Sequence, residues 1–235
     1  TAAAFFFAGW IFHSLLLQWL STNIFWAGGW ALWGYQGLCV IMAIFWALLG
    51  YSWKHLALRL PKLSPIIPLV VLWGTMEFLQ SILFTGFGWS ALAHSQSYNL
   101  YAFQWGSLGG FILIGLFIVT VNLLIAEAIL HKAKRLRHLA LAIVLLIIIH
   151  LGGYTLLKPA TYSDTPIQVG LYQSNTPIQT KWDPEYKDAL IDQAAFRSRI
   201  LADQHPIDLF VWPEALVVSD IQSDAMRSPI TSLLH

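Results

Sequence analysis

One carboxylate stands where it could do chemistry. Glu214 lies in the stretch DLFVWPEAL, residues 208–216, where the apolar run Leu209-Phe210-Val211-Trp212 stops at Pro213. The run has the texture of a buried strand, and a proline ends a strand because it cannot donate to the ladder. A carboxylate beside Trp212 and Pro213 would be partly desolvated, which suits a general base. Spacing alone serves equally well for an exposed residue that opens a loop. Gln173 and Asn175 follow an earlier strand and have amides to offer at the same edge, although turn chemistry suits Asn175 better. Glu77 lies inside an apolar stretch, where a carboxylate is costly and is either functional or a protonated packing group. His94 sits in a polar loop and reads as a surface or headgroup-contacting side chain. Cys39, the one cysteine, lies among Leu38, Val40 and Ile41 and reads as an inert apolar residue, so no disulfide framework exists within the chain.

The elements around Glu214 follow from local pattern. Residues 167–173 read as a strand, and residues 174–182, SNTPIQTKW, as a loop. Asp183 reads as a helix cap with Pro184 and Glu185 in the first turn. The helix extends to about 203, with Leu190, Ile191, Ala194 and Leu201 on one face. The chain turns at His205-Pro206 into a second strand, 207–212. Strand, helix and strand of these lengths make a right-handed parallel unit. Ligands of such sheets gather at the carboxyl ends of the strands. Gln173 with the loop 174–182, and Glu214, are both expected there.

The rest of the chain has a different solvent. Of its 235 residues, 57% are hydrophobic and only 11% charged, far below the quarter usual in soluble domains. A net charge of +1 offers nothing to a nucleic-acid backbone. No Lys, Arg, Asp or Glu occurs before Lys54, and ten of the twelve acidic residues follow position 157. Residues 1–158 therefore read as a transmembrane region and 159–235 as a water-soluble one. Five stretches have the apolar character of a span, 2–20, 28–52, 65–84, 104–128 and 139–157. Seven of the thirteen basic residues fall in the loops that hold Lys54, Arg59 and Lys62, and Lys132, Lys134, Arg135 and Arg137. Basic loops stay cytoplasmic, so the loops 21–27 and 85–103 and the soluble segment are expected outside. The opening apolar run has no basic n-region and reads as the interior of a longer protein, not as a signal peptide. The far end likewise reads as cut.

Four segments carry a resemblance. VWPEA, around Glu214, resembles the first catalytic motif of the nitrilase (carbon–nitrogen hydrolase) superfamily. FTGFGWSALAHSQ (84–96), WGTMEFLQ (73–80) and TKWD (180–183) resemble segments of the apolipoprotein N-acyltransferases, membrane-embedded members of that superfamily. Four motifs in order on a matching topology are specific, where W-P-E alone would be weak. The family commonly has Pro where this chain has Gly88, a departure that touches no catalytic group.

The resemblance implies a multi-pass α-helical membrane bundle followed by the N-terminal part of an α/β nitrilase-like (α-β-β-α sandwich) domain, held on the periplasmic side of the bacterial inner membrane. It implies a Glu-Lys-Cys triad with Glu214 as the base, and substrate contacts from Trp182 and from Trp89 at headgroup level. The implied reaction moves an acyl chain from a phospholipid, through a cysteine thioester, to the N-terminal cysteine amine of a diacylated apolipoprotein. No cofactor or metal is implied. Lys181 and Lys187 do not match the triad Lys motif, and Cys39 cannot be the nucleophile. The Lys and Cys are expected beyond residue 235, and this stretch alone is expected to be inactive. Two other readings compete. A membrane-tethered nitrilase-type amidase would share Glu214 but leaves Trp89 and Trp182 no reason to face lipid. A non-catalytic transporter or scaffold would call for helices broken by Gly or Pro at the bilayer midplane, and the predicted spans have few breaks.

Overall fold

The computed structural model describes residues 1–23, 28–158, 166–214 and 216. The chain divides into two compact units, Thr1–Pro159 and Ala160–His235. Most of the loop 21–27, the junction at 159–165 and the stretch beyond 216 lie outside the described residues.

In the first unit the helices are α1 (Ala2–Leu16), α2 (Trp30–Arg59), α3 (Ile66–Ile82), α4 (Leu100–Gln104), α5 (Gly106–Leu130) and α6 (Arg135–Leu156). Three helical stretches, Trp30–Arg59, Gly106–Leu130 and Lys132–Leu156, are long and apolar enough to cross a membrane, and α1 and α3 are shorter apolar helices. In lipid a backbone must satisfy its own hydrogen bonds, which the helix does within one segment.

Helix ends depart from the apolar boundaries. Helix α2 continues through Lys54 to Arg59, and α6 begins at Arg135, inside the basic loop. Charged side chains at a span's end reach water while their backbone stays helical, so the composition change marks the solvent boundary and not the helix end. Helix α1 stops at Leu16 and hands over to a 3-10 turn, Gln18–Asn23. Helix α5 has non-helical backbone at Gly109 and Gly110, a glycine break inside an expected span.

Helices α1 and α2 lock through aromatic rings laid over glycines. A Cβ on Gly9 would lie 2.7 Å from Trp46 Cγ, and one on Gly50 would lie 2.6 Å from Phe5 Cγ. The two pairs run in opposite register, so the helices are antiparallel. Trp46 also stacks on Phe12 (centroids 5.3 Å, 28°) and meets Trp73 of α3 edge-on at 5.0 Å. Leu49, Leu69 and Met76 are buried beside it. Cys39 is fully buried with Leu17 and Tyr35, and the Tyr35 hydroxyl donates to the Ser14 carbonyl.

Helix α4 seats on α6 at a third glycine contact. A Cβ on Gly153 would collide with the Tyr101 carbonyl oxygen. The Trp105 indole N–H, just past α4, donates to the Ile149 carbonyl at 2.9 Å.

The second unit pairs β1 (Val169–Leu171) with β2 (Leu209–Val211) in parallel, Gly170 opposite Phe210. Between them lie α7 (Ile178–Lys181) and α8 (Lys187–Gln204). The four-residue α7 occupies part of the stretch expected to be loop. Asp183 caps as expected, its carboxylate accepting from the Glu185 N–H at 3.0 Å, but the turn it opens is 3-10 (Pro184–Tyr186) before α8 begins. Helix α8 buries Leu190, Ile191, Ala194, Ala195 and Ser198. Both strands are shorter than their apolar runs.

Replacing Gly153 with Ala must push α4 off α6, because the obstructing atom is backbone. Overpacking of this kind costs about 1–3 kcal/mol. Thermal unfolding of the full-length protein in detergent should show a lowered midpoint for Gly153→Ala and an unchanged one for Gly37→Ala, where a Cβ meets nothing within 4 Å.

Candidate functional site

The candidate residues fall in both units. In the first, they gather in the segment between α3 and α5. Helix α3 ends in a 3-10 turn, Leu83–Thr85, with Phe84 at φ 53° and Gly86 at φ 84°. Gly86 is required, because a Cβ there would collide with the Ser81 carbonyl oxygen. The chain folds back at once, since the Phe87 N–H donates to the Gln80 carbonyl at 2.7 Å. Phe87 then packs on the Leu17–Tyr35–Cys39 cluster.

Trp89 follows on this turn. It is 59% exposed, and its ring leans on Trp19 (5.1 Å) and Phe87 (5.6 Å). It is thus fixed at its base and open on its outer face. His94 closes the loop, its Nε2–H donating to the Gly88 carbonyl at 2.9 Å.

Glu77 is buried on α3. Its Oε1 accepts from the Leu92 N–H at 3.0 Å, which opens the 3-10 turn Leu92–Gln96. Its Oε2 has no hydrogen-bond partner among the described residues and blocks the space that a Cβ on Gly115 of α5 would enter. Of the two readings for Glu77, packing is the one with visible contacts: the carboxyl braces the segment that carries Trp89.

A polar chain that sequence reasoning missed lies behind this turn. Asn99 caps α4, donates to Gln96 Oε1 at 3.1 Å and lies 3.3 Å from His150 Nε2. The other His150 nitrogen, Nδ1, donates to the Leu146 carbonyl at 2.8 Å. The signal was present, because His150 is an ionisable residue within an apolar span.

In the second unit the register brings both strand ends to one edge, and the Tyr172 N–H still donates to the Val211 carbonyl at 3.0 Å. Gln173 and Glu214 leave from that edge. Asn175 has φ 49°, the left-handed turn geometry that asparagine tolerates. Glu214 is exposed, one of the two placements that its spacing left open. The cause is the direction of Trp212. Its indole N–H donates to the Ser198 Oγ of α8 at 3.0 Å, so the ring covers the helix and not the carboxylate. Ser198 is buried and had no signal in the sequence beyond its place on the apolar face. Trp182 lies in the turn after α7, 56% exposed. Glu214 does not line the cavity of about 230 Å³ in this unit, which is bounded by Leu171, Tyr172, Ser198 and Phe210 among others. Among the described residues, no group of His, Cys, Asp and Glu could hold a metal ion.

Comparison with known proteins adds a family. The family described as apolipoprotein N-acyltransferase N-terminal domain matches residues 1–124. The chain is similar to the apolipoprotein N-acyltransferase of Gloeobacter violaceus, 27% identical over 92% of this chain and 45% of that protein. It is also similar to those of Pseudomonas putida (28%, 85% of this chain and 42% of that one) and Synechocystis (32%, 62% and 31%). The chain thus spans less than half the length of these relatives. No solved structure matches it significantly.

If Glu77 braces the turn at Leu92, Glu77→Ala should loosen it. Losing one partner of a buried hydrogen bond costs about 1–3 kcal/mol. Amide hydrogen exchange over residues 86–96 should speed up in the alanine variant and stay near wild type in Glu77→Gln, which keeps an acceptor. Unchanged exchange in Glu77→Ala would remove the bracing role.

Proposed function

The chain belongs to the apolipoprotein N-acyltransferase family, and on that premise we propose that it forms the membrane-embedded part and the base-bearing start of the catalytic domain of an N-acyltransferase. The donor is a membrane phospholipid and the acceptor a diacylated apolipoprotein. The observation that carries this reading is the location of Glu214 at the carboxyl edge of a parallel strand pair, within a W-P-E segment.

In the proposed reaction Glu214 takes the proton from a cysteine thiol, and the thiolate attacks an ester carbonyl of the phospholipid. A lysine and backbone N–H groups stabilise the oxyanion. Collapse expels the lysophospholipid alkoxide, which takes the proton back from Glu214 and leaves the thioester. The α-amine of the acceptor's N-terminal cysteine then attacks the thioester carbonyl, the amide bond forms as the thiolate departs, and Glu214 takes the amine's proton and passes it to the departing sulfur. The lysine and cysteine are assigned to the part of the relatives' length that this chain does not span.

Exposure of Glu214 suits this proposal, since its partners must approach it from outside the described strand pair. The sheet itself supports a further layer. Val169, Leu171, Leu209 and Val211 share one face and are 41–74% exposed, while Gly170 and Phe210 point to the α8 side, where Leu201 lies close. An apolar sheet face is stable when another layer covers it, as in the nitrilase-like sandwich proposed here. The basic loops, on the positive-inside rule, support a catalytic domain on the periplasmic side of the inner membrane. Trp89 and Trp182, open on their outer faces, are the proposed substrate contacts.

The test is on the full-length protein incubated with phospholipid. Glu214→Gln should lower the rate of acyl-thioester formation by about 10²–10⁴-fold, the range for loss of a general base, while the fold persists. Thioester formation at the wild-type rate would take Glu214 out of the base role. Trp182→Ala should reduce transfer with an unchanged unfolding midpoint, and full turnover would leave Trp182 a packing residue.

A further inference from the structure

The turn between α5 and α6 concentrates positive charge. Lys132, Lys134, Arg135 and Arg137 fall within six residues, and all four are exposed. No Asp or Glu occurs between Glu127 and Asp164, and the Glu127 carboxylate lies 2.8 Å from the His131 ring. Among the described residues, none of the four cations has an ion-pair partner.

The backbone adds to this crowding. The four cations occupy a 3-10 turn, Lys132–Lys134, and the first turn of α6, which has no acidic residue and no side-chain cap. The start of a helix is the positive end of its dipole and favours anions. Lys132 and Arg135 are three residues apart, as are Lys134 and Arg137, so each pair shares a helix surface on which like charges repel. Basic residues anywhere in a short loop are enough to keep it cytoplasmic. Topology therefore gives no reason to crowd them onto a helix start.

A second observation is apolar. Leu136, set among the cations, is 83% exposed, and Leu130 at the end of α5 is 73% exposed. Cations interleaved with large apolar side chains suit a bilayer interface, where the charges reach headgroups and the hydrocarbon faces the acyl chains.

We propose that this turn binds the headgroup of an anionic phospholipid, with Lys132 and Arg135 on the phosphate and Leu136 against the upper acyl carbons. The chemistry selects this occupant. Unpaired cations at a helix start call for an anion, and a guanidinium matches phosphate oxygens two at a time. The exposed leucines call for that anion to be attached to hydrocarbon. A free phosphate meets the first demand and not the second. Placing the lipid in the cytoplasmic leaflet rests on the orientation proposed above; the binding itself does not.

The test uses full-length protein in phosphatidylcholine vesicles at low salt. The vesicles are doped with phosphatidylglycerol or with phosphatidylcholine, each carrying a diazirine near its glycerol backbone. After irradiation, label in residues 129–138 should come from phosphatidylglycerol by at least about 25-fold, or about fivefold for each of Lys132 and Arg135. Lys132→Gln combined with Arg135→Gln should remove most of that preference with the unfolding midpoint retained. Lys54→Gln combined with Arg59→Gln, in the other basic loop, should leave it in place. Equal labelling by the two lipids in wild type would overturn the proposal. So would an equal loss in both double variants, because the attraction would then be that of diffuse surface charge. Displacement of the label by inorganic phosphate beyond that by chloride at matched ionic strength would make this a free-anion site and overturn the lipid assignment. The doped lipid is present in both leaflets and labelling needs no turnover. A failure here is therefore distinct from a failure of the orientation or of acyl transfer, and an inactive Glu214→Gln protein should label as wild type does.

Discussion

Glu77 accepts a hydrogen bond from the Leu92 N–H at 3.0 Å while its other oxygen packs against Gly115, and this contact joins α3, α5 and the turn between them. A carboxyl group inside an apolar bundle is expensive. Part of that cost is offset here, because the buried carboxyl satisfies a backbone N–H of the turn. Glu77 and Gln80 lie three residues apart on α3. One holds the turn through Leu92, and the other receives the Phe87 N–H at its carbonyl. Two anchors at one helix end fix the path of residues 84–96, and with it the direction of Trp89.

Glycine is the second constraint on this bundle. Lipid tails are as apolar as the helices, so helix association relies on close packing and hydrogen bonds more than on the hydrophobic effect. Phe5 over Gly50, Trp46 over Gly9 and the Tyr101 carbonyl against Gly153 are such contacts. Each sets an axial register, because the large group has only one place to sit.

The helical organisation was legible in the sequence because its cause is local. A stretch without charge must satisfy its backbone internally, and all five apolar stretches are helical over most of their length. Their ends were less legible, since Lys54 and Arg135 mark the edge of the apolar solvent and do not stop a helix. The break at Gly109-Gly110 was hidden by apolar neighbours that keep the composition uniform. In the second unit, alternation and turn residues predicted both strands and the cap at Asp183. The short helix α7 was missed because the polar, proline-bearing texture of SNTPIQTKW gives no apolar period to read.

The sequence by itself determined the type of each element, the W-P-E segment at a strand's end and the resemblance to one family, because these rest on composition and on order along the chain. Tertiary structure decided which polar groups find each other. Glu77 meets Leu92 across fifteen positions, Asn99 nears His150 across fifty-one, and Trp212 turns to Ser198 across fourteen. The last of these leaves Glu214 exposed, one of two placements between which its neighbours in sequence could not choose. The direction of a side chain depends on the partner that captures it, and that partner is chosen by packing, which adjacency in sequence does not encode.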